Sequence, residues 1–140
     1  MATVVSVRQP SPRDVGARMA FSDLGQLTGS VTWGCVEGAV ISEAESVLKS
    51  GESSLLHFGT VTDTTFELGL TCGGDMDIYV ERLDPSPWLH TAELMEGLLL
   101  QGEPCAVVTI VEGEPRGCRL LLSNDGRVDG TTGDADIDRE

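Results

Sequence analysis

The chain has 140 residues, with 9 Lys and Arg against 23 Asp and Glu, a formal charge of −14 at pH 7, and 40% hydrophobic but only 4% aromatic side chains. That length suffices for one compact domain with its own core, and the hydrophobic share argues against disorder. A surface this negative repels phosphodiester backbones and anionic headgroups, so nucleic acid is not an expected partner. No apolar run approaches the roughly 20 residues of a membrane span and no signal-peptide pattern opens the chain, so the expectation is no membrane span and a cytoplasmic location.

In chain order, ATVVSV (2–7), ARMAFS (17–22) and LTGSV (27–31) read as three short strands between Pro- and Gly-bearing turns. From Cys35 onward, Val36, Val40, Ile41, Ala44, Val47 and Leu48 recur at helical spacing, and Lys49-Ser50-Gly51 ends the helix with a cation and a C-cap. LLHFGT (55–60) and MDIYVERL (76–83) read as strands. A second helix is predicted with Ser86 as N-cap and Pro87 in its first turn, carrying Leu89, Ala92, Met95, Leu98 and Leu99 until Gly102 and Pro104 stop it. CAVVTIVE (105–112) and CRLLLS (118–123) add two strands, followed by the turn Asn124-Asp125-Gly126 and an acidic tail read as frayed or unfinished. The fold class expected is α+β, a mixed or mainly antiparallel sheet with two principal helices and an internal pseudo-repeat.

The repeat is read from Arg18–Gly29, which aligns with Arg119–Gly130 at four identities in twelve, with Val4–Val7 set against Val107–Ile110 and Pro12-Arg13 against Pro115-Arg116. The second copy is preceded by a helix that the first lacks, and it stops before any counterpart of Gly34-Cys35-Val36-Glu37, so the pattern reads as clipped at both ends. Residues 1–133 are taken as one domain holding the partial repeat 1–32 and 94–133, with 134–140 as an acidic tail. The unfinished sheet edge predicts cover by another chain, most simply in a homodimer.

The cysteines at 35, 72, 105 and 118 form no CxxC pair, and His57 and His90 lack a Cys or His close by, so no metal site is expected and both histidines read as half-buried or surface residues. Cys35 falls where a glycine-bearing strand exit meets the first helix. A helix N-terminus favours an anion, so a thiol there ionises more readily and the same amides can hold a phosphate; a small thiol packed beside a tight turn accounts for the residues equally well. Cys72-Gly73-Gly74 admits the same pair of readings, since adjacent glycines allow close approach of a ligand or form a turn. Arg8, Arg13 and Arg18 make a local positive patch that either clamps a small anion or edges a solvated turn. Glu37 is either a charge that steadies the first helical turn or a candidate acid or base. No phosphate-binding glycine motif and no nucleophile, base and acid set is present, so no catalytic residues are assigned.

Taken together, PSPRDVGARMAF, GSVTWGCVEGAVISEAESVLKSG and LGLTCGGDMDIYVERL, in this order and spacing, resemble the XdhC and CoxI family, accessory factors for xanthine dehydrogenase and related molybdenum hydroxylases. The resemblance implies a chaperone, not an enzyme, that transiently binds the molybdenum cofactor, a pterin carrying a dithiolene and a phosphate. It would protect the cofactor during sulfuration and assist its insertion into the hydroxylase apo-enzyme, with a sulfur donor or a separately encoded companion domain as further partners. By motif, Cys35, Glu37, Cys72, Gly73 and Gly74 would line the cofactor region, with Arg13 a phosphate or structural contact. Many members have glycine where this chain has Trp33, so the indole either stacks on a pterin or fills the pocket. Longer members carry a C-terminal Rossmann-like domain that these 140 residues do not include. The competing expectation is a non-catalytic interaction subunit that docks a hydroxylase or companion chain without cofactor, Cys35 and Cys72 serving only to pack.

Overall fold

Strand β1 (Ala2–Val7) buries Ala2 and Val4, the alternation of a strand with one face on the core, and it forms the middle of a five-stranded antiparallel sheet. The computed structural model describes residues 1–8, 13–59 and 75–139, which fall into two units, Met1–Arg82 and Leu83–Glu140. In the first unit β2 (Arg18–Phe21) and β3 (Leu27–Gly29) lie on one side of β1, and β5 (Met76–Val80) and β4 (Ser54–Phe58) on the other, in the order β3-β2-β1-β5-β4. Helix α1 (Glu37–Ser50) places Val40, Ala44 and Val47 on the core formed with Ala2, Val4, Met19, Phe58, Ile78 and Val80. Each fully buried valine of this set contributes about 1.5–3 kcal/mol. The helix ends as its sequence predicts, at Gly51, whose φ of 79° lets its N–H reach the Val47 carbonyl at 2.8 Å.

In the second unit α2 (Pro85–Leu100) accompanies a three-stranded antiparallel sheet, β6 (Cys105–Thr109), β7 (Arg119–Ser123) and β8 (Val128–Thr131), in the order β6-β7-β8. Among the described residues the fold is therefore α+β with two α-helices, as expected, and its strands form two antiparallel sheets. The α2 N-cap is Asp84, not Ser86; Pro85 and Pro87 both fit in the first turn, where a missing N–H costs nothing. No helix among the described residues is long and apolar enough to cross a membrane.

The two units contain hairpins built alike. Met19 pairs with Gly29 and Leu120 with Gly130. Ser22 N–H donates to Gln26 O at 2.9 Å, and Ser123 N–H to Arg127 O at 3.0 Å. A Cβ on Gly29 would stand 2.3 Å from the Arg18 carbonyl oxygen, and one on Gly130 2.6 Å from that of Arg119, so both sites require glycine. Upstream, Val4 N–H donates to Ala17 O and Ile110 N–H to Cys118 O, which makes Ile110 the counterpart of Val4. The sequence alignment had set Val4 against Val107, because periodicity cannot register a strand across loops of unequal length.

The acidic tail is also ordered differently from expectation. Thr131 and Thr132 hydroxyls and the Thr132 N–H donate to Asp138, in the 3₁₀ turn Ile137–Arg139. At the spacing that relates the hairpins, Thr131 corresponds to Ser30 and Asp138 to Glu37, so the second copy runs through the segment where it had been read as ending.

Candidate functional site

The registers Val7↔Met76 and Phe58↔Met76, with β2 and β3 antiparallel to one another, bring several loops to one end of the first sheet. Arg8 after β1, Arg13 before β2, the turn from Ser30 to Val36, Gly59 after β4 and Asp75 before β5 all lie at that end.

The turn into α1 is organised by Glu37. Its carboxylate accepts the Ser30 hydroxyl at 2.7 Å, the Thr32 N–H at 2.8 Å, the Gly34 N–H at 2.8 Å and the Thr32 hydroxyl in a short contact. Ser30 Oγ in turn accepts the Trp33 N–H at 2.9 Å, and Thr32 Oγ1 the Val36 N–H at 3.1 Å. Val36, the N-cap residue, makes no side-chain cap hydrogen bond, and the acid one position later reaches back to amides of the preceding turn, those of Thr32 and Gly34. Burial alone would raise the Glu37 pKa; hydrogen bonds from the Thr32 and Ser30 hydroxyls and the Thr32 amide outweigh it and hold the value at about 2.

Val31 and Thr32 are wholly buried on one side of this turn and Val36 is buried on the other, while Trp33, Gly34 and Cys35 between them face solvent. Trp33 sits in the left-handed region at φ 62°, which costs a non-glycine residue about 1 kcal/mol or more. Its indole is 70% exposed, and the Arg13 guanidinium lies 4.9 Å from the ring centroid.

The structure thus brings Arg13, Trp33 and Cys35 together and turns Glu37 inward on its own turn. Cys72, Gly73 and Gly74 lie outside the described residues. Arg8 does not join an anion-binding patch: it pairs with Asp75 at 3.0 Å and Asp77 at 2.8 Å. Asp77 also meets His57 Nδ1 at 2.7 Å, so His57, read from sequence as an ordinary half-buried residue, links β4 to this ion-pair group. The roles of Ser30 and Thr32 escaped the sequence reading; a hydroxyl five and another seven residues ahead of an acid at a helix start was the available signal. In the second unit, Leu94, Leu98, Leu121, Val128, Glu93 and Arg127 line an open groove of about 370 Å³.

The arginine-backed indole and the thiol thus stand on a pinned turn of an antiparallel α+β scaffold. The fold is that of a xanthine dehydrogenase crystal structure from Bacillus halodurans, with a TM-score of 0.72 at 20% identity over 92% of this chain and 39% of that one. Residues 1–59, which include the pinned turn, match the model of the XdhC and CoxI family. The molybdenum cofactor insertion chaperone PaoD of Escherichia coli (strain K12) is 31% identical over 83 residues, 59% of this chain. The chain spans about a quarter (26%) of that relative's length.

Proposed function

We propose that this protein is a cytoplasmic accessory factor, not an enzyme, that binds the molybdenum cofactor and assists its sulfuration and insertion into a molybdenum hydroxylase. The observation that carries the reading is the group of exposed Trp33 and Cys35 with half-buried Arg13 over the indole, within the stretch that matches the family. The likeness to PaoD, named as an insertion chaperone, supports the same reading. The donor set suits the ligand: a thiol is a soft donor for molybdenum or its sulfur, an indole offers a flat face to a pterin, and a guanidinium offers paired donors to a phosphate. Once bound, the cofactor supplies the dithiolene-held metal that a hydroxylase needs. Glu37 holds the turn that presents the binding groups, and Cys72, Gly73 and Gly74 are proposed as further lining from their motif alone. The hydroxylase apo-enzyme is the proposed recipient, with a sulfur donor or companion domain acting beside it.

The test is molybdenum and pterin content per chain after expression in cells that make the cofactor, comparing wild type with Cys35→Ser and Cys72→Ser. Near-stoichiometric content that falls in either folded serine variant is the expected result. Wild type that is empty after anaerobic purification overturns the reading in favour of an interaction subunit.

We also propose a homodimer formed through β6. Among the described residues β6 has β7 on one side and no strand on the other, whereas its counterpart β1 carries antiparallel β5 there. Cys105–Thr109 contains neither charge nor proline, the residues that keep edge strands apart. Because Ile110 N–H points to β7, alternation turns the Val107 N–H outward, and a two-fold axis at Val107 makes the pairing antiparallel. Light scattering should find a dimer that Val107→Pro converts to a folded monomer; a monomeric wild type, or a dimer that survives the proline, refutes it.

A further inference from the structure

We infer that Trp33, backed by Arg13, is the stacking platform for the pterin ring, so that this chain holds the ligand's flat heterocycle on an indole face; this rests on the proposed cofactor reading. Trp33 serves neither packing nor the turn. The core beside it is closed by Val31 and Val36, which are buried, while the indole is 70% exposed. The backbone at φ 62° suits glycine better, and the following Gly34, at φ 114°, continues the same left-handed course. A large apolar side chain kept at a strained, exposed position needs another reason, and a ligand that covers it provides one.

The geometry restricts the class of that ligand. Arg13 lies over the ring 4.9 Å from its centroid, and the residue as a whole stays 70% exposed. Aromatic faces take flat rings in offset stacks. On a chain of charge −14, an anionic ligand also needs a cation near its docking point, and Arg13 supplies one at the edge of the stack. Cys35 is exposed two residues further along the same turn. A flat heterocycle bearing a phosphate and a sulfur-held metal meets all three groups. The turn itself does not have to form on binding, because Glu37 and Ser30 already hold the backbone of residues 32–34.

The experiment compares wild type, Trp33→Gly and Trp33→Phe after expression in cells that make the cofactor, measuring pterin per chain by fluorescence after oxidation. A Trp88→Phe background leaves Trp33 as the single tryptophan, so quenching of its emission in the loaded protein, relieved on stripping, reports the stack directly. Trp33→Gly should retain a tenth or less of the wild-type pterin with a melting temperature no lower than wild type, and Trp33→Phe should retain roughly half. Equal pterin in wild type and the folded Trp33→Gly protein, or unquenched Trp33 in the loaded protein, overturns the stack while leaving the cofactor reading intact. A wild type without pterin overturns the parent reading, and the stack with it. Should Trp33→Gly fail to fold, the Trp33 emission of the loaded and stripped protein decides alone.

Discussion

The turn closed by Glu37 and the turn closed by Asp138 are the same device used twice. In each, an acid seven residues after a hydroxyl accepts that hydroxyl together with a threonine N–H and side chain. Hydrogen bonds hold both carboxyls below their ordinary range, those of Thr131 and Thr132 in the case of Asp138. They differ in what the turn shows to solvent. Between that threonine and the acid the first copy has Trp33-Gly34-Cys35-Val36 and the second Gly133-Asp134-Ala135-Asp136-Ile137, with a glycine at the left-handed position of Trp33, two carboxylates and no thiol or ring. The carboxylate lock is therefore scaffold, present also where no thiol or ring is mounted on it, and under the proposed reading the ligand-facing groups are the residues that the first copy mounts there. Glu37 belongs with the scaffold.

Breaking the first lock should produce the largest effect. Glu37→Ala strands the amides of Thr32 and Gly34 and two hydroxyls, and should cost about 3 kcal/mol in urea unfolding. Asp138→Ala should cost distinctly less, since its turn is open to solvent and precedes no long helix. Equal losses would mean that the two turns contribute alike and that the difference drawn between them is mistaken.

Acid titration should separate the locks further. Glu37 is ionised in the fold down to about pH 2 against an ordinary pKa of 4.5, so its contribution is complete above pH 4.5 and drains away as pH falls towards 2. After allowance for solvent screening this amounts to about 1–2 kcal/mol, and Glu37→Gln should flatten that part of the stability profile. The smallest effect runs the other way: Trp33→Gly should stabilise the chain by about 0.5 kcal/mol, seen as a raised urea midpoint, because it relieves the left-handed backbone at φ 62°.

Much of the scaffold was legible in the sequence, and for identifiable reasons. The spacing of Val36, Val40, Ala44 and Val47 followed by Gly51 located α1, because a helix buries one face and needs a left-handed stop. Val128–Thr131 went unlisted as a strand, since Val-Asp-Gly-Thr has little β propensity and pairs only because β7 lies beside it. In the site, the sequence placed Cys35 at the entry to α1 but left open whether its thiol is buried; the structure exposes it. The stacking of Arg13 on Trp33 and the linking of Arg8, Asp77 and His57 did not, because each joins residues on separate strands or loops whose meeting depends on sheet order.

The lock at Glu37 also bears on kinetics. Backbone fastened through the Ser30, Thr32 and Gly34 contacts has little ordering left to do when a ligand arrives, so that entropy is settled during folding and not at the encounter. Association should then proceed near the rate set by diffusion and charge, and substitutions at Trp33 or Arg13 should act mainly on how long the ligand stays. Under the proposed cofactor reading, a residence time set by Trp33 and Arg13 leaves release adjustable without touching the fold.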